Sequence, residues 1–205
     1  MNLIKAEKRL LEILLKKSFK YSEEPIFKLV SGRMSNYYIN CKTTTLDPEA
    51  MLLIGHLFYN KAKPLHINAI GGLTLGADPI AFATAMVSGM QDNAINAFVV
   101  RKKAKEHGLM KWIEGNVQEG DKVVIVDDVV TTGQSTIEAI DRARESNLNV
   151  IKAIALVDRQ EGGRENIEKR DILFESIYTR DDLMSLYKKD KKICHQDTKA
   201  QNKKI

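Results

Sequence analysis

The sequence predicts an α/β protein: a doubly wound parallel sheet with a small N-terminal hood. Three observations predict it. Short apolar runs rich in Val and Ile alternate with stretches of helical periodicity, the pattern of successive strand–helix–strand units. Each segment with binding chemistry directly follows one of the apolar runs. Neither a repeat nor a long linker interrupts the alternation, so residues 1–187 read as one domain, with the hood occupying about 1–65.

Taken in order, Leu3 to Lys17 carries apolar residues at Leu3, Leu10, Leu11, Leu14 and Leu15, an amphipathic helix. Phe27 to Asn40 reads as a hairpin or small hood. Asp47 followed by Pro48 joins an N-cap to a proline at the first helical position, and the helix runs to about Asn60. A strand at 66–70, a helix at 79–88 and a strand at 95–100 come next. A basic loop leads to a strand at 123–127, a helix at 134–146 and a strand at 150–157. The segments Gly71–Asp78, Arg101–Gly108, Asp127–Ser135 and Asp158–Gly163 each follow a strand. In an open parallel sheet they therefore gather along the carboxyl edge, where ligands bind.

Composition excludes several classes. At 205 residues the chain is long enough for one sizeable core. No apolar run nears the roughly 18 residues that span a membrane, and Leu10 to Leu15 is too short and too charged at its flanks for a signal peptide. Cys41 and Cys194 are the only cysteines, which predicts a reducing, cytoplasmic setting. The net charge of +5 is confined to residues 188–205, with seven Lys against two Asp; the rest balances at 25 basic and 25 acidic residues. A neutral body argues against nucleic-acid binding. The basic tail lacks apolar periodicity and is expected to be disordered. P-loop, dinucleotide and nucleophile-elbow motifs are missing, and the four His and two Cys lack zinc-site spacing.

Val123-Val-Ile-Val-Asp-Asp-Val-Val-Thr-Thr-Gly-Gln-Ser135 is the most informative stretch. A buried parallel strand stops at two carboxylates, and a turn opens a helix. Asp127 and Asp128 suit a sugar diol or a metal reached through water. Thr131, Thr132 and Ser135 offer hydroxyls, Gly133 permits a tight turn, and the helix start offers backbone N–H groups and dipole for an anion. Capping alone would account for one hydroxyl and one carboxylate. A ribose phosphate matches both halves. In a regular strand the two Asp side chains would face opposite ways, so the strand is expected to break there.

Around it, Arg101, Lys102, Lys103, Lys105 and Lys111 stand against Glu106 alone, with His107 and a Gly108 hinge. Such a loop attracts a polyanion and suits a leaving pyrophosphate, or else is a solvated surface. Arg159 follows the strand at 150–157 and suits a carboxylate, or else pairs on the surface with Asp158 or Glu161. Tyr37 and Tyr38 either cover a planar ring or build the hairpin core.

The Val123–Thr136 stretch resembles the phosphoribosyl-pyrophosphate motif of the type I phosphoribosyltransferases. Phe27–Asn40, Arg101–Gly108 and Ala155–Gly163 resemble, in order, the N-terminal segment, mobile catalytic loop and strand-end Asp-Arg segment of the orotate phosphoribosyltransferases. The resemblance covers roughly residues 3 to 184. It implies transfer of ribose 5-phosphate to orotate, with Mg²⁺ as cofactor, orotate and phosphoribosyl pyrophosphate as substrates, and a homodimer whose basic loop reaches the neighbouring subunit's site. It assigns Arg101, Lys102, Lys105, His107, Asp127, Asp128, Val129, Val130, Thr131, Thr132, Gly133, Gln134 and Ser135 to the donor. It assigns Thr131 and Arg159 to the base; Tyr37 and Tyr38 are the candidates to cover its ring, and Lys105, His107, Asp127 and Asp128 the candidates for the catalytic work. The chain departs from some members at Val30, where a base-contacting Lys stands in them; here that contact is either absent or replaced by Arg33 or Lys42. It departs again at Leu75 and Gly76, where they have Tyr-Lys, leaving backbone N–H groups to hold diphosphate. Asp78 beside that loop must cap the helix or meet a metal. A purine phosphoribosyltransferase and a non-catalytic regulator on the same fold are the rival readings.

Overall fold

The computed structural model describes residues 1–28, 32, 34–91, 93–103 and 112–201, with side chains as far as Lys191. Helix α1 (Leu3–Ser18) starts at Asn2, whose side chain accepts from the Lys5 N–H. The hood follows as β1 (Phe19–Tyr21), β2 (Phe27–Lys28), β3 (Met34–Ser35) and β4 (Tyr37–Ile39); β1 pairs antiparallel with β4, and β2 with β3. Next come α2 (Lys42–Thr45) and α3 (Pro48–Ala62), the latter capped by Asp47 as its sequence predicts. The remaining elements are β5 (Ala69–Leu73), α4 (Asp78–Gly89), β6 (Asn96–Val100), β7 (Ile113–Gly115), β8 (Lys122–Val130), α5 (Gln134–Glu145), β9 (Asn149–Asp158), α6 (Gly163–Glu168), β10 (Leu173–Thr179) and α7 (Arg180–Gln201).

Six strands form the main sheet in the order β10-β9-β8-β5-β6-β7, all parallel except the edge strand β7. Strand β8 shows why both faces are covered. Val124 and Val126 point into a core with α1, α3 and α4, while Val123 and Ile125 point into a second core with α5 and α6. Alternation along one apolar strand thus feeds two layers, which is the doubly wound arrangement. From β5 the chain proceeds outward to β6 in one direction and later returns to place β8 on the other side. The crevice between β5 and β8 is the point where strand order reverses, and ligands bind at such points.

The departures from expectation are local. β5 begins at Ala69 rather than 66, because Pro64 sits in a 3-10 turn (Lys63–Leu65) and His66 takes a left-handed conformation. It reaches through Gly71 and Gly72, where a Cβ would lie 2.1 Å from the Phe98 carbonyl oxygen and 2.2 Å from that of Val126. β8 does not stop at Asp127; its ladder with β9 continues to Val130, opposite Asp158. β10 and β7 were not foreseen. Helix α7 is described to Gln201, beyond the domain end expected at 187, over residues expected to be disordered. Leu183 anchors its first turns in the core, and residues 188–201 contain neither Pro nor Gly, so the helix propagates from that packed start.

Candidate functional site

The site is built on the β5–β8 crevice. Asp127 and Asp128 are both buried. Asp127 turns back on its own strand: its Oδ1 accepts the Asp128 N–H (2.9 Å) and its Oδ2 accepts from Thr136 Oγ1 (2.8 Å). Burial, then the neighbouring Asp128 charge, push the Asp127 carboxyl up to about 7, against the pull of the Thr136 and backbone hydrogen bonds. Asp128 instead meets Lys42 of α2, with Nζ 3.2 Å from Oδ2. A Cβ placed on Gly76 would lie 2.6 Å from Asp128 Oδ1 and 3.1 Å from Asp127 Oδ1. Both carboxylates therefore converge on the loop after β5 without any break in β8. The expected break is corrected: the side chains converge through their own torsions, and Gly76 leaves the space.

The anion cradle follows directly. Residues Val129 to Thr136, with Asp127, line a cavity of ≈ 220 Å³. Gly133, at φ 82°, occupies the N-cap position of α5, and no side chain caps the helix, so its first N–H groups are available to a ligand. Thr132, Gln134 and Ser135 are exposed and Thr131 partly so, whereas Val130 is fully buried and offers only its backbone. Helix α6 supports the loop from below: Asn166 Nδ2 donates to the Thr132 carbonyl (3.0 Å), and a Cβ at Gly163 would strike Val130 and Thr131.

Across the crevice, Thr74 Oγ1 donates to Asp78 Oδ2 (2.6 Å), while Asp78 Oδ1 is buried with no hydrogen-bond partner among the described residues. Asp78 is the first residue of α4 and makes no capping bond. Among the described residues no group of three or more His, Cys, Asp or Glu is arranged to hold a metal.

At the end of β9, Arg159 is buried rather than on the surface. Its guanidinium lies 5.0 Å from the Tyr37 ring centroid. Nη2 is 2.9 Å from Glu161 Oε1 but off hydrogen-bond alignment, and Nε has no acceptor among the described residues. Tyr37 Oη donates to the same Glu161 oxygen (2.6 Å). The Arg159–Glu161 pair named from sequence as the plain alternative therefore exists, inside the protein. Only Tyr37 joins this group; Tyr38 faces the other way, is exposed, and stacks on Phe27.

The basic loop is seen in part. Arg101 pairs with Glu114 (3.1 Å), and Lys102 and Lys103 are exposed. Lys105, His107, Gly108 and Lys111 lie outside the described residues, as do Val30 and Arg33. Sequence reasoning missed Thr136 and the space at Gly76. It named Lys42 and Glu161 for other duties. Buried Cys41 lies under the same group; burial first, and Asp128 second, push its thiol up.

Comparisons with known proteins agree with this geometry. Residues 58–184 match the family model described as "Phosphoribosyl transferase domain". An orotate phosphoribosyltransferase of Aquifex aeolicus is 48% identical over 176 residues, covering 86% of this chain and 96% of the relative. The crystal structure of Mycobacterium tuberculosis orotate phosphoribosyltransferase with Fe(III) dicitrate superposes with a TM-score of 0.77 at 34% identity, covering 87% of this chain and 98% of that one. The same enzyme in complex with 5-phospho-alpha-D-ribosyl 1-diphosphate gives 0.72 at 31% identity, again over 87% and 98%.

Proposed function

The chain belongs to the phosphoribosyltransferase family and, within it, to the orotate phosphoribosyltransferases; from that premise we propose how its own residues carry the transfer. Ribose 5-phosphate passes from phosphoribosyl pyrophosphate to orotate, giving orotidine monophosphate and pyrophosphate. The observation that carries the assignment is convergence: two buried carboxylates and an uncapped helix start meet at the β5–β8 crevice, and a buried, under-partnered guanidinium stands at the next strand end.

The 5-phosphate sits in the Thr131–Ser135 cradle, held by backbone N–H groups, hydroxyls and the α5 dipole. Asp127 and Asp128 take the ribose hydroxyls. Arg159 takes the base carboxylate through its Nε–Nη2 edge, the two-pronged pairing that a guanidinium favours. Tyr37, beside that guanidinium, and Thr131 flank the ring; Tyr38 is placed to support the hood rather than the base. A ring nitrogen of orotate attacks the anomeric carbon as its bond to pyrophosphate breaks, through an oxocarbenium-like transition state. Arg101, Lys102, Lys105 and His107 stabilise the charge that develops on pyrophosphate, and closure of their loop excludes water.

The donor set fits Mg²⁺. Two adjacent carboxylates, one pushed up to about 7 by burial and by its neighbour, favour added positive charge, and magnesium is held by one or two carboxylates together with substrate phosphates and water. Asp127 and Asp128 would hold it through water, and it would supply charge neutralisation for the departing pyrophosphate. A homodimer is supported by exposed apolar side chains on α4, Phe82 and Met86 at four-residue spacing, followed by exposed Met90 directly after the helix. A cytoplasmic setting agrees with the free, buried Cys41.

The test is orotate's ultraviolet absorbance after addition of phosphoribosyl pyrophosphate and Mg²⁺, with hypoxanthine and adenine in parallel. Magnesium-dependent loss of orotate alone is expected. Turnover of a purine instead would move the chain to the purine enzymes. Donor binding without turnover of any base would make it a regulator.

A further inference from the structure

The contact between Arg159 and Glu161 is a poor one for a buried pair. The side chains are 9% and 13% exposed, so a mismatch here is not relieved by water. Glu161 covers only one N–H of the guanidinium edge, off line, and leaves Nε without an acceptor among the described residues. One Arg edge accommodates one carboxylate two-pronged. Glu161 thus sits where the base carboxylate belongs, and fills the place incompletely.

We propose that Glu161 is a placeholder carboxylate: it compensates Arg159 in the empty site and yields the guanidinium when the carboxylated base enters. The proposal rests on the reading that Arg159 receives the base carboxylate. Tyr37 makes the exchange feasible. Its hydroxyl donates to Glu161 Oε1, so Glu161 keeps a hydrogen-bond donor after leaving Arg159 and no charge is stranded. A base without a carboxylate has nothing to exchange and leaves the pair intact. Glu161 is therefore a positioning residue that sets how tightly a carboxylated base or nucleotide is held. It lowers that grip, which favours release of the nucleotide product.

Orotidine and uridine monophosphates differ only in the carboxylate, so their dissociation constants, measured by calorimetry on the whole protein, isolate this contact. In Glu161→Gln the side chain keeps its size and an oxygen for Tyr37 but loses the competing charge. Orotidine monophosphate should bind on the order of tenfold tighter, uridine monophosphate should change by less than about twofold, and KM for orotate should fall while KM for the donor stays. An equal change for both nucleotides would make Glu161 merely structural and overturn the proposal. Selective weakening of orotidine monophosphate would show that Glu161 orients Arg159 rather than competing for it, and overturns it equally. Arg159→Gln separates the two levels. If it retains the preference for orotidine monophosphate, the assignment of Arg159 itself is wrong. If the preference is lost there while Glu161→Gln changes nothing, only the placeholder idea fails. Should Glu161→Gln not fold, crystals of the unaltered protein decide: with orotidine monophosphate bound, the Nη2–Oε1 separation should open beyond about 4 Å, and a retained contact of 2.9 Å overturns the proposal.

Discussion

Replacing Asp127 by Asn should abolish turnover and, above pH 7, stabilise the fold. Asp127 ordinarily titrates at 3.8, and burial with the Asp128 charge pushes it up to about 7 in the folded protein. A carboxyl whose folded pKa lies above its unfolded value binds its proton more tightly when folded. Its contribution is complete below pH 3.8 and is lost as pH rises through about 7. The full displacement is worth on the order of 4 kcal/mol at pH 8. An Asn side chain carries no such penalty: its oxygen accepts the Asp128 N–H, and its amide donates to Thr136 Oγ1 once that hydroxyl turns. Reorganising the Thr136 bond takes back about 1 kcal/mol, leaving about 3 kcal/mol. For a chain of this size that raises Tm by about 6–12 °C. The assay is thermal unfolding of both proteins from pH 4 to pH 8, without nucleotide or metal. The Tm difference should be near zero at pH 4 and grow as pH rises to 8. A difference that stays flat across this range would show that Asp127 is ionised throughout and that the electrostatic picture of the site is wrong.

Gly76→Ala places a Cβ 2.6 Å from Asp128 Oδ1, so the loop or the carboxylates must move; donor affinity by calorimetry should drop about 100-fold with Tm little changed, and unaltered affinity would remove the Asp pair from the donor site. Lys105→Ala should lower kcat by about 100-fold or more with KM for orotate nearly constant; unchanged turnover refutes its role at the leaving group. Phe82→Glu charges the apolar stripe on α4, where Phe82 is 53% exposed; sedimentation should show a monomer and activity should fall with it, while an intact dimer would move the interface elsewhere.

What could be read from sequence follows the range of the interactions. The strand–turn–helix at Asp127–Ser135 is one contiguous segment, so its chemistry is visible in order, and Arg159 is visible as a strand end. Tyr37 and Tyr38 are adjacent on one strand and must face opposite ways; the pairing of Tyr37 with Tyr21 and Tyr38 with Lys20 decides which side each takes, and that register is not local information. β10 was hidden because Glu175 and Ser176 interrupt its apolar run; Lys61 and Lys152, remote in sequence, pair with Glu175 and make it tolerable there. The end of β8 was misread because a pair of carboxylates resembles a turn, whereas β9 supplies ladder partners up to Asp158. Gly76, Lys42 and Thr136 reach the Asp pair from three separate elements, and only the crossover at β5 brings them together.

Those long-range contacts share a logic. A site for two anionic substrates and a divalent cation needs fixed charges of both signs, and in the empty protein those charges are buried and costly. Two of them have an internal counterpart: Lys42 stands at Asp128, and Glu161 stands at Arg159. The two differ in kind. Lys42 is 49% exposed on its side chain and holds Asp128 through a water-screened contact, easily shared with an incoming cation. Glu161 is nearly enclosed, so its exchange is closer to all-or-none and responds to whether the entering ring bears a carboxylate. On this reasoning affinity at the base site comes from better alignment on Arg159 than Glu161 achieves, not from meeting an unpaired charge. The residue that sets that affinity is then the one that must leave.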